Sequence, residues 1–119
     1  MIITELVGKY NVKGKNQNED HSKYNGILTL TLNDHSKIDA HWLINDSQDQ
    51  FGTGFFKNNI LVINFYYLGE NQKKFKGVVV YQILTKDVLD GFWSEKYADQ
   101  NYLGIERCYK INKESEILN

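Results

Sequence analysis

Few residues in this chain have side chains able to do chemistry, and two of them stand side by side near its end: Glu106 and Arg107, in an alternating apolar segment. Neighbours along a β-strand point to opposite faces, so one of the two is turned into whatever interior the fold makes. Apolar alternation selects Leu103, Ile105 and Arg107 as the inward set, whereas a repeat of aromatic and glycine residues selects Tyr102, Gly104, Glu106 and Cys108. Both readings stay open here, because a one-residue slip or bulge exchanges them. Whichever charge is enclosed must find a hydrogen-bonded partner or change its protonation. A structural role, with Arg107 stacked on Tyr10 or Glu106 bonded to a Tyr or Trp, is expected ahead of catalysis or ligand binding.

The remaining candidates do not assemble into a motif. His21, His35 and His41 fall in a long loop, a tight turn and an outward strand position, with neither an H-x-x-x-H pair nor an acidic metal loop around them. Asp39 and His41 share a strand face that alternation places outside, where a solvated pair is the ordinary outcome. Gly52-Thr53-Gly54 lacks the following helix that a phosphate cradle needs. Cys108 has no histidine near it in sequence. The expectation is a protein that is not an enzyme and holds neither metal nor cofactor.

Charge narrows the partners. The formal net charge is -1 with both signs interleaved, and the densest basic stretch, Lys73, Lys74 and Lys76, sits beside Glu70 at the solvated start of a strand. No nucleic-acid partner is expected from that pattern. No run is long and apolar enough to cross a bilayer, and no basic segment precedes an apolar one at the amino terminus, so neither a membrane nor an export route is expected. A lone cysteine points to a reducing, cytoplasmic setting.

The elements that must position these residues are strands. Eight Tyr, six Phe and two Trp stand against two alanines and no proline, a balance that favours sheet over helix. Apolar residues alternate at period two in segments at about 5–13, 24–33, 36–44, 51–57, 59–67, 74–84, 87–95 and 101–111. Together they predict an all-β chain: an antiparallel up-and-down meander of about eight strands, a small closed barrel, forming one domain over residues 1–119. A turn or two of helix is expected near 112–118. The connections after strands two, four and six are tight, while those after one, three, five and seven are longer: 14–23, 45–50, 68–73 and 96–100. In a meander, alternate connections lie at opposite ends, so the long loops share one rim.

Even strands open with an aromatic residue near a glycine: Tyr24 and Gly26, Phe51 with Gly52 and Gly54, Phe75 and Gly77, Tyr102 and Gly104. Barrel closure, which needs kinks, explains most of such a pattern. The more apolar faces predict an interior containing Tyr10, Leu28, Trp42, Phe65, Val79 and Tyr81 among others. A pocket is expected beneath the long-loop rim, near Tyr24, Gly26, Tyr67, Phe75, Gly77, Trp93 and Tyr102, with Glu106 or Arg107 as its charged residue.

Two stretches carry a family resemblance. Leu6-Val7-Gly8-Lys9-Tyr10 resembles the G-x-W start of lipocalins and fatty-acid-binding proteins, with tyrosine in place of tryptophan. Arg107 is similar to the basic residue that covers that aromatic ring in lipocalins. The segments Gly52 to Val62, Gly77 to Tyr81 and Gly91-Phe92-Trp93 also resemble uncharacterised bacterial proteins with meander repeats. The resemblance to calycin-type barrels, the group that takes in lipocalin, fatty-acid-binding and avidin-like proteins, implies a barrel that holds a ligand.

Two functions follow as expectations. One is a binding module for a small apolar or aromatic ligand, which calls for a cavity of roughly 300 Å³ or more. The alternative is a structural or regulatory scaffold with a filled core that meets other proteins through its outside. Strands five and six are apolar on both faces, leaving Ile60, Val62, Tyr66, Val78, Val80 and Leu84 outward. A homodimer or higher closed oligomer through that face is expected, unless the tail at Ile117 and Leu118 covers it.

Overall fold

The computed structural model describes residues 1–111. The alternating segments form eight strands: β1 (Gly8–Lys15), β2 (Lys23–Leu32), β3 (Ile38–Ile44), β4 (Gln48–Lys57), β5 (Ile60–Leu68), β6 (Lys74–Thr85), β7 (Val88–Glu95) and β8 (Gly104–Lys110). Each pairs antiparallel with its sequence neighbour, and β8 pairs with β1 to close the barrel. The expected helix near 112–118 and the tail residues Ile117 and Leu118 lie outside the described residues.

Alternation places the core. Tyr10, Leu28, Leu30, Ile38, Leu61, Ile63, Tyr81 and Leu89 are fully enclosed, joined by Val12, Trp42, Phe65, Val79 and Ile83. An eight-stranded barrel is just wide enough for such side chains to fill it, and away from the long loops they do so. Leu6 closes the bottom. It ends a 3₁₀ turn (Ile3–Leu6) ahead of β1 and is completely buried, with the Tyr10 hydroxyl donating to its carbonyl at 2.7 Å. This turn is why β1 starts at Gly8 rather than residue 5: Glu5 bonds back to the Ile2 backbone, its N–H donating to the Ile2 carbonyl and its side chain accepting from the Ile2 N–H.

The ends of the barrel differ as the loop pattern predicts, with one correction. Connections 33–37, 58–59 and 86–87 lie at the end plugged by Leu6, while 16–22, 69–73 and 96–103 lie at the other. The connection after β3 is tight rather than long. Asn45 and Asp46 take φ of 52° and 61°, as Asn58 and Asn59 do at 53° and 62° in the β4–β5 turn. Asn and Asp tolerate this left-handed geometry, and the hairpin closes early enough for β4 to begin at Gln48.

On the outside, one row of residues lies in register across five strands: Phe55 opposite Val62, Val62 opposite Val80, Val80 opposite Phe92, and Phe92 opposite Ile105. Phe55, Phe92 and Ile105 are about half exposed, at 51%, 49% and 46%. The apolar outer face of strands five and six is thus present, but it runs across the sheet as a belt and reaches β4 and β8.

Because Leu6 seals the barrel end without help from a strand, Leu6→Ala is expected to lower stability by about 2–5 kcal/mol, the cost of an unfilled core site. A urea unfolding curve measures this. A loss below about 1 kcal/mol would show that the 3₁₀ turn is not part of the core.

Candidate ligand cavity

Register determines which charge is enclosed. Opposite Glu106 stand Gly14 on β1 and Gly91 on β7, so the residue is flanked on both sides by positions without a side chain. The Tyr24 ring lies against Gly14 and the Tyr81 ring against Gly91, where an added Cβ would meet ring atoms. Both hydroxyls thereby reach Glu106: Tyr24 donates to Oε1 at 2.6 Å, and Tyr81 donates to Oε2. The Trp42 indole N–H also donates to Oε2, at 3.2 Å, and the Cys108 thiol points to the same oxygen at 3.6 Å. A second indole extends the network, with Trp93 Nε1 donating to the Tyr24 hydroxyl at 2.9 Å. Gly104 admits the Trp93 ring, which packs directly on it.

Glu106 is buried, and the donors around it match a carboxylate, which only accepts. Burial, reinforced by the neighbouring carboxylate, holds the Tyr24 phenol far above its ordinary value. Burial does the same for Tyr81, with Cys108 and Glu106 adding to it, and burial beside Glu106 pushes the Cys108 thiol up. These groups therefore stay protonated and keep donating. Such a thiol is a poor nucleophile.

Above this floor, at the long-loop end, lies a cavity of about 90 Å³ lined by Asn16, Tyr24, Trp42, Ile44, Gln48, Gln50, Phe65, Tyr67, Val79, Trp93, Glu95 and Glu106. It is smaller than the drug-sized space expected of a ligand-binding barrel, because Trp42, Phe65 and Trp93 occupy much of the cross-section, the last two edge-to-face at 6.2 Å. For scale, a dry cavity of ~150 Å³ holds benzene and one of ~15 Å³ holds a water.

The residues expected to form a pocket do not all meet in one place. Tyr24, Tyr67, Trp93 and Glu106 line the cavity. Phe75 stands behind Tyr67, stacked at 5.2 Å and 17°. Gly77 is buried beneath the Phe65 ring, and Gly26 sits opposite Ile44 on β3. Tyr102 does not line the cavity; it sits in the 96–103 connection at the same end of the barrel, its carbonyl accepting from Gln17 Nε2 at 2.8 Å. Arg107 is not in the pocket: it is on the outer wall, bonded to Asp90 at 3.3 Å. Nor does it cover Tyr10. Lys110 does so instead, with Nζ 5.8 Å from the ring centre while donating to the Glu5 carbonyl at 2.7 Å. The aromatic-glycine repeat had the inward face of β8 right, and apolar alternation did not.

Several lining residues escaped the sequence reading. Gln48 and Gln50 continue the inward face of Gly52 and Gly54, because β4 starts at Gln48, ahead of the residue 51 that alternation predicts. Glu95 continues the series Leu89, Gly91, Trp93, and its Oε2 accepts from the Tyr67 hydroxyl at 2.6 Å. Gln17 does not line the cavity but fixes the loop beside it. From the 16–22 loop it donates to Ser94 Oγ at 2.9 Å and accepts from the Glu95 N–H at 2.9 Å, pinning that loop across β7. On the outer face, His41 pairs with Asp49 at 2.7 Å rather than with Asp39, which accepts from Asn33 and Thr53. Among the described residues no cluster of His, Cys, Asp and Glu is arranged to hold a metal, and no helix is long and apolar enough to cross a membrane.

No protein-family model matches the chain, and no curated protein does. Solved structures share its fold. The redesigned β-barrel mFAP0 bound to DFHBI superposes with a TM-score of 0.66 at 15% identity, covering 89% of this chain and 99% of that one. The redesigned β-barrel mFAP1 bound to DFHBI gives 0.64 at 15% identity, over 91% and 96%. A protein of unknown function from the DUF3598 family of Nostoc punctiforme PCC 73102 gives 0.58 at 12% identity, over 93% of this chain and 49% of that one. The class is therefore the small eight-stranded β-barrel, and at these identities the likeness is one of fold. It fits the resemblance to calycin-type barrels and to an uncharacterised bacterial protein.

The buried phenols give the site an alkaline limit. Tyr24 and Tyr81 have folded-state values raised above the ordinary 10.0. Below pH 10 both folded and unfolded chains hold these protons, and stability is unaffected. Above it the unfolded chain releases them and the native barrel does not, so stability falls, by about 1.4 kcal/mol per pH unit for each phenol. Urea midpoints between pH 9 and 11.5 are expected to drop along that course, and Tyr81→Phe to flatten the slope. A slope unchanged by Tyr81→Phe would contradict the assignment.

Proposed function

We propose that the barrel is a binding module that holds a small molecule at its long-loop end. The observation that carries this reading is a cavity with an aromatic wall and a hydrogen-bonded carboxylate floor, opening where the longer connections lie. Ligand sites have this build: largely apolar walls with a few placed polar groups. Tyr24, Tyr67 and Trp93 form the contact wall in this reading, with Phe75 behind it, Gly77 giving the Phe65 ring room and Gly26 letting the β3 backbone and Ile44 approach closely. Tyr102 lies in the connection above, and Glu106 stands at the floor. The redesigned barrels of the same fold carry DFHBI in their solved structures, which supports binding by a barrel of this size. The volume restricts the occupant to a small molecule or the end group of a larger one. The same proposal takes residues 1–119 as a single domain working in a reducing cytoplasm, where Cys108 remains a thiol.

A native mass spectrum of freshly purified protein, followed by an NMR fragment screen, tests this. Bound fragments are expected to shift the indole N–H signals of Trp42 and Trp93 saturably. The alternative reading, a scaffold with a filled core, predicts no saturable shift there. A ligand mapping to the end with Asn33, Asn58 and Lys86 would overturn the site.

The outer belt supports a second proposal, that two copies pair through β4 to β8. Its five residues are uncharged, so nothing in the row repels an identical row, and a two-fold axis is the usual way such a surface is satisfied. Wild type is expected to be dimeric at tens of micromolar by light scattering, and Val80→Lys with Phe92→Lys to be monomeric. A monomeric wild type refutes the interface. A dimer that survives both changes assigns the contact to another surface.

A further inference from the structure

Resting on the small-molecule reading above, we propose that the cavity takes an organic cation, the ammonium end of an amine or a quaternary ammonium group. Its lining includes two carboxylates, Glu95 and Glu106, and no Lys, Arg or His side chain. An anion entering it would meet two like charges and no compensating positive one, at a site partly withdrawn from solvent where such repulsion is weakly screened.

The rest of the wall suits a cation as well. Tyr24, Trp42, Phe65, Tyr67 and Trp93 all line the space, and the faces of such rings attract ammonium groups within about 6 Å, more strongly when water is excluded. Several of these rings are fixed by hydrogen bonds that leave their π-systems free: Trp42 and Tyr24 to Glu106, Trp93 to Tyr24, and Tyr67 to Glu95. The ring donors are therefore already engaged and are not available to a ligand that needs to accept. Among the described residues, Glu95 accepts a side-chain hydrogen bond only at Oε2, leaving Oε1 free at the mouth. A neutral apolar occupant would desolvate that oxygen without replacing its water, which is costly, whereas a cation compensates it. The volume of about 90 Å³ suits an ammonium headgroup rather than a whole drug-sized molecule.

The test compares two probes of matched shape, tetramethylammonium chloride and tert-butanol, at constant ionic strength. Each is titrated while the indole N–H signals of Trp42 and Trp93 are followed. Tetramethylammonium is expected to bind at least about tenfold more tightly than tert-butanol, and Glu95→Gln to weaken it by about tenfold and so narrow its preference over tert-butanol. Equal or tighter binding of tert-butanol overturns the cation proposal and leaves the small-molecule module standing. A folded Glu95→Gln protein that binds tetramethylammonium as wild type does also overturns it. Should neither probe move the indole signals, the proposal and the module reading fall together. The wild-type comparison decides the matter even if Glu95→Gln fails to fold.

Discussion

The carboxylate of Glu106, enclosed within the barrel, is the constraint around which the upper half of the molecule is arranged. A buried charge is tolerated only when its lone pairs are met, and here two phenols and an indole meet them. Those donors are bulky, and a barrel of eight strands has little room to spare. Space is made by removing side chains: Gly14 and Gly91 flank Glu106 in register, and Gly104 precedes it on the same face. Glycines that look like ordinary barrel kinks are, at these three positions, the seats of Tyr24, Tyr81 and Trp93.

The cavity follows from the same arrangement. Rings drawn down toward the carboxylate cannot also fill the mouth, and the residues above them, Gln48, Gln50, Asn16 and Glu95, are polar and keep contact with water. The result is a barrel with two unlike halves. Below, Leu6 and the enclosed aliphatic side chains make a dry core. Above, aromatic and polar side chains surround a small open space.

Much of this was legible in the sequence, and the reasons differ by element. The meander and most core positions came from period-two alternation, a signal imposed directly by one face being buried. The loop pattern located the open end, although Asn45 and Asp46 looked like part of a longer loop until their left-handed geometry showed a tight hairpin. At β8 the same alternation misled, because Leu103, just before the strand, and Ile105, in the outer belt, are both exposed and outside the core. The repeat of aromatic and glycine residues gave the other register, since it reports room for rings rather than hydrophobicity. Gln17 left no trace in sequence: a glutamine in a polar loop has no pattern, and its three hydrogen bonds join residues far apart along the chain.

The seam where the barrel closes has a bearing on how the molecule folds. Seven of the strand pairings join sequence neighbours and form by local hairpin zipping, while β1 with β8 joins the two ends and must wait for the rest. Long-range pairing of this kind adds a loop-closure entropy cost that local hairpins avoid, and it slows folding. Glu106 lies on that seam, facing Gly14 across it, and its partners Tyr24, Trp42 and Tyr81 come from β2, β3 and β6. The carboxylate is therefore solvated for as long as the sheet is open and is desolvated in the step that closes it. Its donors must be in place at that moment, so the closing step also checks the register of the sheet: a slip of one residue in β8 would put Arg107 in the place of Glu106, and the indole and phenol protons gathered there would lose the acceptor they converge on.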